Sequence, residues 1–320
     1  MAHNQPPRHA PDITLPSSYN NLTFTQIITR HYEKEPSIII LTLHRPANHN
    51  AFTELMRAEM ESAYTMFDAD DRVKCIVVTG QGRIFCAGAD LDDGTGEGNL
   101  DKEVEKGYEH RDEGGRLTLA IQHCRKPSIA AIQGSAAGIG ITMTLPMNIR
   151  IAYANAKIGF VFARRGIIME AASSFFLPRL IGHSRAMQAV TTGSTYLASD
   201  KIWGGLFAET CDKAEQVLPR ALEVAEEVAR NTSSVSTYLM KELMYRDTGS
   251  PEGQHLLDSR VIFDLFGSPD NTEGVRSFME KRQARFTGTM GNTNVAGYPW
   301  WTQVDTLNRP KVVPAGKPKI

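Results

Sequence analysis

The sequence predicts an α/β fold, a spiral of ββα-like units followed by a helical C-terminal part. Two observations carry this prediction. The β-rich apolar runs Cys75 to Thr79 and Ile129 to Ile132 each lead into a stretch of small residues, Phe85-Cys-Ala-Gly-Ala-Asp-Leu91 and Gln133-Gly-Ser-Ala-Ala-Gly-Ile-Gly140. Helix, strand and small-residue turn therefore recur in order, twice over, without the strict strand–helix alternation of a doubly wound sheet. A chain of 320 residues, 41% hydrophobic and 22% charged, is long enough to bury a substantial core as one large domain with appendages.

The elements follow in order. Residues 1–30 are expected to form a flexible N-terminal arm, because the first 22 are rich in Pro, Asn and His. The spiral core is expected over 31–217. Within it, Ile38 to Leu43 is a continuous apolar run that reads as a buried strand, and Pro46 ends pairing in the turn that follows. Met56, Met60, Ala63 and Phe67 share one face of a helix from about Thr53 to Asp70. Val73 to Thr79 is the next strand. Asp92 to Leu100 reads as a mobile loop, and a polar helix is expected from about Asp101 to His123. A helical region spans 218–287. There Val235, Leu239 and Leu243 share a face, Ser250-Pro251 starts a helix, and Asp270-Asn-Thr-Glu273 reads as a capping arrangement. An irregular tail covers 288–320, and its Tyr298-Pro-Trp-Trp301 stretch is expected to pack on the body or on a neighbouring subunit.

Composition excludes several function classes. A net charge of -1 with scattered basic residues offers no field for nucleic acid or anionic lipid. The four cysteines and nine histidines show no metal-ligand spacing, so neither a metal site nor a disulfide framework is expected, and a reducing compartment fits. The N-terminus lacks a hydrophobic signal core, and no apolar run approaches the ~20 residues of a membrane span. The final Pro318-Lys319-Ile320 keeps the small–basic–aliphatic pattern of a peroxisomal ending, so a peroxisomal import receptor is a possible partner, with the cytoplasm as the alternative location.

Small side chains at a strand-to-helix turn leave peptide N–H groups without intrahelical partners. Two such turns brought together would aim two donors at one oxygen, the requirement for stabilising an oxyanion. Gly134-x3-Gly138-x-Gly140, with Tyr153-x3-Lys157, also has the spacing of a short-chain dehydrogenase. That arrangement would place its glycine turn after the first strand and its Tyr/Lys pair far downstream, whereas here both are mid-chain. Tyr153 and Lys157 instead read as flanking a tight turn at Ala154-Asn155-Ala156.

Taken in order, Arg45-Pro46 with Asn50-Ala51, Gly82 to Leu91, Gly134 to Gly140, Gly166 to Glu170 and Ser173 to Gly182 resemble the crotonase, or enoyl-CoA hydratase/isomerase, superfamily. The resemblance runs from about Ile38 to Phe286. It implies the crotonase (ClpP/crotonase) fold, a C-terminal helical region that assembles trimers or hexamers, and an acyl-CoA substrate with no separate cofactor. It places the backbone N–H groups of Ala89 and Ile139 at the two oxyanion positions. Around them it implies substrate binding by Ala87, Gly88, Asp90, Leu91 and Gly138, and puts Arg45 and Ala47 in the turn lining the adenine end of CoA. Asp90 reads first as a carboxylate fastening its loop to nearby N–H groups. The larger residue at Ile139 is similar to the isomerase branch, since most hydratases have glycine there.

The resemblance also locates an absence. Hydratases of this family commonly use two glutamates, and Thr142 and Phe162 stand at those positions. Gly166-Ile-Ile-Met-Glu170 resembles the segment of peroxisomal-type Δ3,Δ2-enoyl-CoA isomerases that carries their single glutamate. Glu170, set among Ile167, Ile168, Met169, Ala171 and Ala172, is therefore the expected catalytic acid–base group, with helix capping near Ala171 as its structural alternative. An isomerase moving a C=C bond by 1,3-proton transfer is the first expectation. A hydratase or dehydratase on a specialised acyl-CoA of secondary metabolism is the second, and a non-catalytic CoA-binding subunit the third. Ser173 and Ser174 read as helix-start hydrogen-bonding residues, and Arg164-Arg165 as ligands of either an anion or a structural carboxylate. Phe175, Phe176 and Leu177 read first as core, with the lining of an acyl pocket as the alternative.

Overall fold

The structure is a computed structural model and describes residues 13–91 and 110–306. The expected loop at 92–100, the first part of the helix expected from Asp101 and the Pro318-Lys319-Ile320 ending lie outside the described residues.

The chain begins with a hairpin of β1 (Ile27–Tyr32) and β2 (Glu35–Leu43), followed by α1 (Glu54–Ala69) and β3 (Cys75–Gly80). Then come α2 (Glu113–His123), β4 (Ser128–Ile132), β5 (Ala136–Ala137), α3 (Ile139–Thr142), β6 (Ile149–Tyr153) and β7 (Lys157–Gly159). The second half carries α4 (Ser173–Ile181), α5 (His183–Thr192), β8 (Thr195–Leu197), β9 (Glu209–Cys211), α6 (Ala214–Asn231), α7 (Ser234–Tyr245), α8 (Pro251–Leu265) and α9 (Pro269–Met279). A six-stranded sheet runs in the order β1-β2-β3-β4-β6-β9 and is parallel except for the β1–β2 hairpin. A second sheet orders β5-β7-β8. Tyr153 ends β6 and Lys157 opens β7, so these two residues do flank a tight turn.

The central strands of the large sheet are buried on both faces, and alternation along them decides which residue meets which layer. Ile39, Leu41, Ile76, Val78 and Ala130 pack with Met56, Met60, Ala63 and Phe67 of α1 and Leu117 and Ile121 of α2. Ile38, Ile40, Cys75, Val77, Ile129 and Ala131 face the other way, onto Val217, Ala221 and Ala225 of α6. The expected boundary at 217/218 therefore falls inside α6, and the core continues through that helix. A boundary drawn where strands stop misses a helix whose apolar stripe belongs to the sheet.

Three further expectations need correction. The flexible arm does not extend to residue 30. Tyr19 is fully buried, packs edge-on to Phe67 and donates its hydroxyl to Asp70 at 2.9 Å, and β1 then joins the sheet. A single anchoring aromatic outweighs polar composition around it. In the described part of the polar segment, α2 starts at Glu113, where Asp112 caps it. At α9 the cap is Ser268 with Pro269 at the first position, not the Asp270–Glu273 stretch. Asp270 instead turns inward, accepting from Ser233 Oγ and from the Thr287 and Gly288 N–H groups.

Other expected details match the structure. Thr53 caps α1, and Ser250 caps α8 with Pro251 at its first position. The aromatic tail packs onto the body of its own chain. Tyr298 and Tyr238 hydroxyls meet at 2.6 Å, Trp300 Nε1 donates to the Arg246 carbonyl, and Arg246 stacks on Trp301. Val235, Leu239 and Leu243 pack together with this region.

Candidate active site

The two small-residue turns are brought together by backbone pairing. Phe52 clasps the first turn, donating its N–H to the Gly88 carbonyl at 2.8 Å and accepting the Asp90 N–H at 2.8 Å. The Ala137 N–H donates to the Cys86 carbonyl at 3.2 Å, joining the second turn to the first. Glycine is required where they touch. A Cβ on Gly140 would lie 2.3 Å from the Cys86 carbonyl oxygen, and one on Gly134 1.9 Å from that of Arg83.

The residues before the expected oxyanion donors, Gly88 and Gly138, have positive φ and face each other across a gap of 3.9 Å from a Cβ built on Gly138 to the Gly88 Cα. Neither the Ala89 nor the Ile139 N–H meets an acceptor among the described residues. Ile139 opens α3, where an N–H has no intrahelical partner. The sequence-expected pair of donors thus occupies neighbouring positions, Ala89 exposed and Ile139 buried.

Around the first turn, Ala87, Ala89 and Leu91 are exposed, while Gly88 and Asp90 are buried. Asp90 fastens its loop to the preceding turn, where Arg45 Nη1 donates to its Oδ2 at 2.7 Å. The same Nη1 donates to the Ala51 carbonyl at 2.6 Å. The bond to Asp90 is charge-assisted, and such bonds are about twice as strong as neutral ones. Arg45 is thereby committed to locking the loop, and Ala47 lies exposed in the short turn Pro46–Asn48 beside it.

Glu170 sits where three segments meet. Its Oε1 accepts the hydroxyl of the fully buried Thr142 at 2.5 Å. Its Oε2 lies over Gly114 of α2, where a Cβ would come within 1.8 Å of that oxygen and 2.7 Å of Ile139 Cδ1. The carboxylate is therefore placed beside Ile139, one of the two expected oxyanion donors. The apolar surroundings expected from neighbours in sequence are not those observed. Ile168 is 86% exposed and Ile167 is also on the surface, because the chain turns outward after the left-handed Gly166. The helix-capping alternative for Glu170 is overturned too. The carboxylate reaches Thr142, α4 begins only at Ser173, and Ala171 and Ala172 intervene with φ of 58° and 50°.

Several neighbours support this arrangement. Ser173 donates both its N–H and its hydroxyl to the Glu170 carbonyl, as its helix-start position suggests. Asp112 accepts the Ala171 N–H at 2.8 Å. The buried Arg150 donates to the carbonyls of Thr144, Met147 and Leu206, pinning the turn after α3, and burial pushes its pKa down to about 10. Burial pushes the Cys86 thiol up to about 12, so it is no nucleophile at neutral pH. Phe162 is buried, as are Phe176 and Leu177, whereas Phe175 is partly exposed. Arg164 donates to the Thr192 carbonyl and Ser194 hydroxyl.

Sequence reasoning missed Gly114 and Asp112. The available signal was the Gly114-Gly115 pair inside a predicted helix, since glycine there costs about 1 kcal/mol against alanine and calls for a packing reason. A cleft of about 850 Å³ lies elsewhere, at the ends of β2, β3 and β4 beside the start of α6. It is lined by Arg30, Gln133 and Tyr153, among others, and by none of Ala89, Ile139, Thr142 or Glu170. Chemistry, not volume, therefore identifies the candidate site.

Comparisons with known proteins bear on the family and the fold. The profile of the enoyl-CoA hydratase/isomerase family matches residues 33–289. Enoyl-CoA hydratase ACTT3 of Alternaria alternata is 52% identical over 253 residues, covering 79% of this chain and 84% of that protein. The 1,2-epoxyphenylacetyl-CoA isomerase of Escherichia coli is 32% identical, covering 82% and 99% respectively. Among solved structures, a probable enoyl-CoA hydratase/isomerase from Mycobacterium abscessus superposes with a TM-score of 0.71 at 28% identity, covering 84% of this chain and all of that one.

Proposed function

We propose that this protein, which belongs to the enoyl-CoA hydratase/isomerase family and has the crotonase fold, adds water reversibly across the C=C bond of an enoyl-CoA thioester. The observation that carries the proposal is the placement of one carboxylate, Glu170, beside Ile139 and in hydrogen-bond contact with Thr142. In this reading the Ala89 and Ile139 N–H groups hold the thioester oxygen. Water oxygen bonds to Cβ, and the π electrons move through Cα onto that oxygen as an enolate. Glu170 takes the proton that water releases and delivers one to Cα as the enolate collapses. Dehydration is the reverse.

Relatives about half identical to this chain bear the name enoyl-CoA hydratase, which supports hydration ahead of the isomerisation that the residue pattern alone put first. A second reading keeps a specific support: with Thr142 and Phe162 at the positions of the two glutamates, a single carboxylate suffices to carry a proton between C2 and C4. Incubating crotonyl-CoA and a Δ3-enoyl-CoA in H2 18O separates the two. Label in a 3-hydroxyacyl product is expected. Unlabelled Δ2 product from the Δ3 substrate would establish the second reading instead. Glu170→Gln should abolish either turnover while leaving the fold intact, and full activity in that variant would overturn both.

The proposal extends to assembly and location. Phe263, Phe266, Phe278 and Met279 are strongly exposed along α8 and α9, a surface suited to burial in a trimer or hexamer. Peroxisomal import through Pro318-Lys319-Ile320 is supported by that tripeptide alone.

A further inference from the structure

Asp112 serves two structures at once. Its Oδ1 accepts the Gly114 N–H at 3.2 Å and its Oδ2 the Gly115 N–H at 2.8 Å, closing the first turn of α2. The same Oδ2 accepts the Ala171 N–H at 2.8 Å, from a residue 59 positions along the chain. Capping alone requires only the first two bonds. The third reaches the peptide directly after Glu170, at the start of two consecutive alanines in the left-handed region. Such a conformation costs about 1–2 kcal/mol per non-glycine residue and persists only where the surroundings enforce it. Here the enforcement comes from Asp112 on one side and from Ser173, bound to the Glu170 carbonyl, on the other.

We propose that Asp112 is a positioning residue for Glu170. By holding the Ala171 N–H, it sets the backbone from which the carboxylate reaches Thr142 and settles over Gly114. Helix α2 thereby contributes both the clearance for the carboxylate and the tie that aims it. This assignment rests on the reading of Glu170 as the proton carrier, and it places Asp112 outside contact with the reacting atoms.

Asp112→Ser tests it. Serine also caps helices, but its one short hydroxyl cannot span both α2 and the Ala171 N–H. The expected result with crotonyl-CoA is a kcat reduced about 10- to 100-fold with KM within twofold of wild type. Exchange of the Cα proton in D2O should fall in parallel with kcat. Asp112→Asn is the conservative rescue, because a single oxygen at the Oδ2 position can accept both the Gly115 and the Ala171 N–H groups, and it should recover most of the kcat lost in Asp112→Ser. Wild-type kcat in Asp112→Ser overturns the proposal, as does a loss of kcat that only mirrors a loss of folded protein, or an Asp112→Asn enzyme as impaired as Asp112→Ser. Glu170→Gln is measured alongside. If it keeps turnover, the underlying reading fails; if it is inactive while Asp112→Ser is fully active, the positioning role alone fails.

Discussion

Gly114→Ala puts the architecture around Glu170 to a severe test, because by local rules the substitution should help. Alanine is favoured over glycine in helices by up to about 1 kcal/mol, and Gly114 has ordinary helical geometry in the first turn of α2. Its added Cβ, however, would lie 1.8 Å from Glu170 Oε2 and 2.7 Å from Ile139 Cδ1. Ordinary contact begins at 3.4 Å, so the carboxylate must retreat by about 1.6 Å or α2 must shift by a similar amount. A retreat of that size breaks the 2.5 Å bond from Thr142 and moves the proposed proton carrier away from Ile139. Misplacing a catalytic group by about 1 Å can cost about 100-fold in rate, so kcat should fall at least that far. Stability should change little, since the helix gain roughly offsets one lost hydrogen bond worth about 1 kcal/mol. Steady-state kinetics on crotonyl-CoA and a thermal melt measure both quantities. A Gly114→Ala enzyme within threefold of wild-type kcat would refute the placement of the carboxylate.

Two further outcomes follow from interactions farther out. Asp90→Asn removes a charge partner of Arg45, and a hydrogen bond between charged groups at such a largely buried site is worth about 1.5–3 kcal/mol. A lower melting temperature together with a raised KM for acyl-CoA is expected from calorimetry and kinetics; no change in either would show that the pair does not hold the first turn. At Asp70, burial pushes the carboxyl pKa up, but hydrogen bonds from Arg72 and Tyr19 prevail and hold it below the ordinary value. Its stabilisation is therefore complete above the unfolded pKa and disappears as pH falls through the folded one. Asp70→Asn should melt earlier than wild type at pH 7, and the difference should shrink below about pH 4, whereas a pH-independent difference would contradict the assignment.

The sequence revealed those features that depend on near neighbours. The continuous apolar runs of β2, β3 and β4, the stripe of α1 and the caps at Thr53 and Ser250 all follow from local pattern, and each is present in the structure. The two turns were legible because glycine and alanine mark places where backbone approaches backbone. Long-range choices were not legible. Nothing local announces that Tyr19 would find Asp70, that α6 would cover the sheet, or that Asp270 would turn inward to serve Thr287 and Gly288. Glu170 shows the same division. Its identity stood out as the one acid at the matched positions, but its surroundings were misjudged from adjacent isoleucines. The groups beside it, Thr142, Gly114 and Asp112, come from 28 to 58 positions away, and only the folded chain sets them against it.

The interlocking of the two turns also bears on how the protein becomes active. Cys86 and Ala136 pair across about fifty residues, and the glycine contacts at 134 and 140 leave no room for a loosely fitted arrangement. Closing so long a loop is entropically costly, and contacts of this range form late in folding. A nascent or partly unfolded chain could therefore display the parallel strands while holding neither donor in register. Catalytic competence would then be an all-or-none property of the finished spiral, lost as a unit when the turns separate, and a partly folded chain would have no means of activating a thioester.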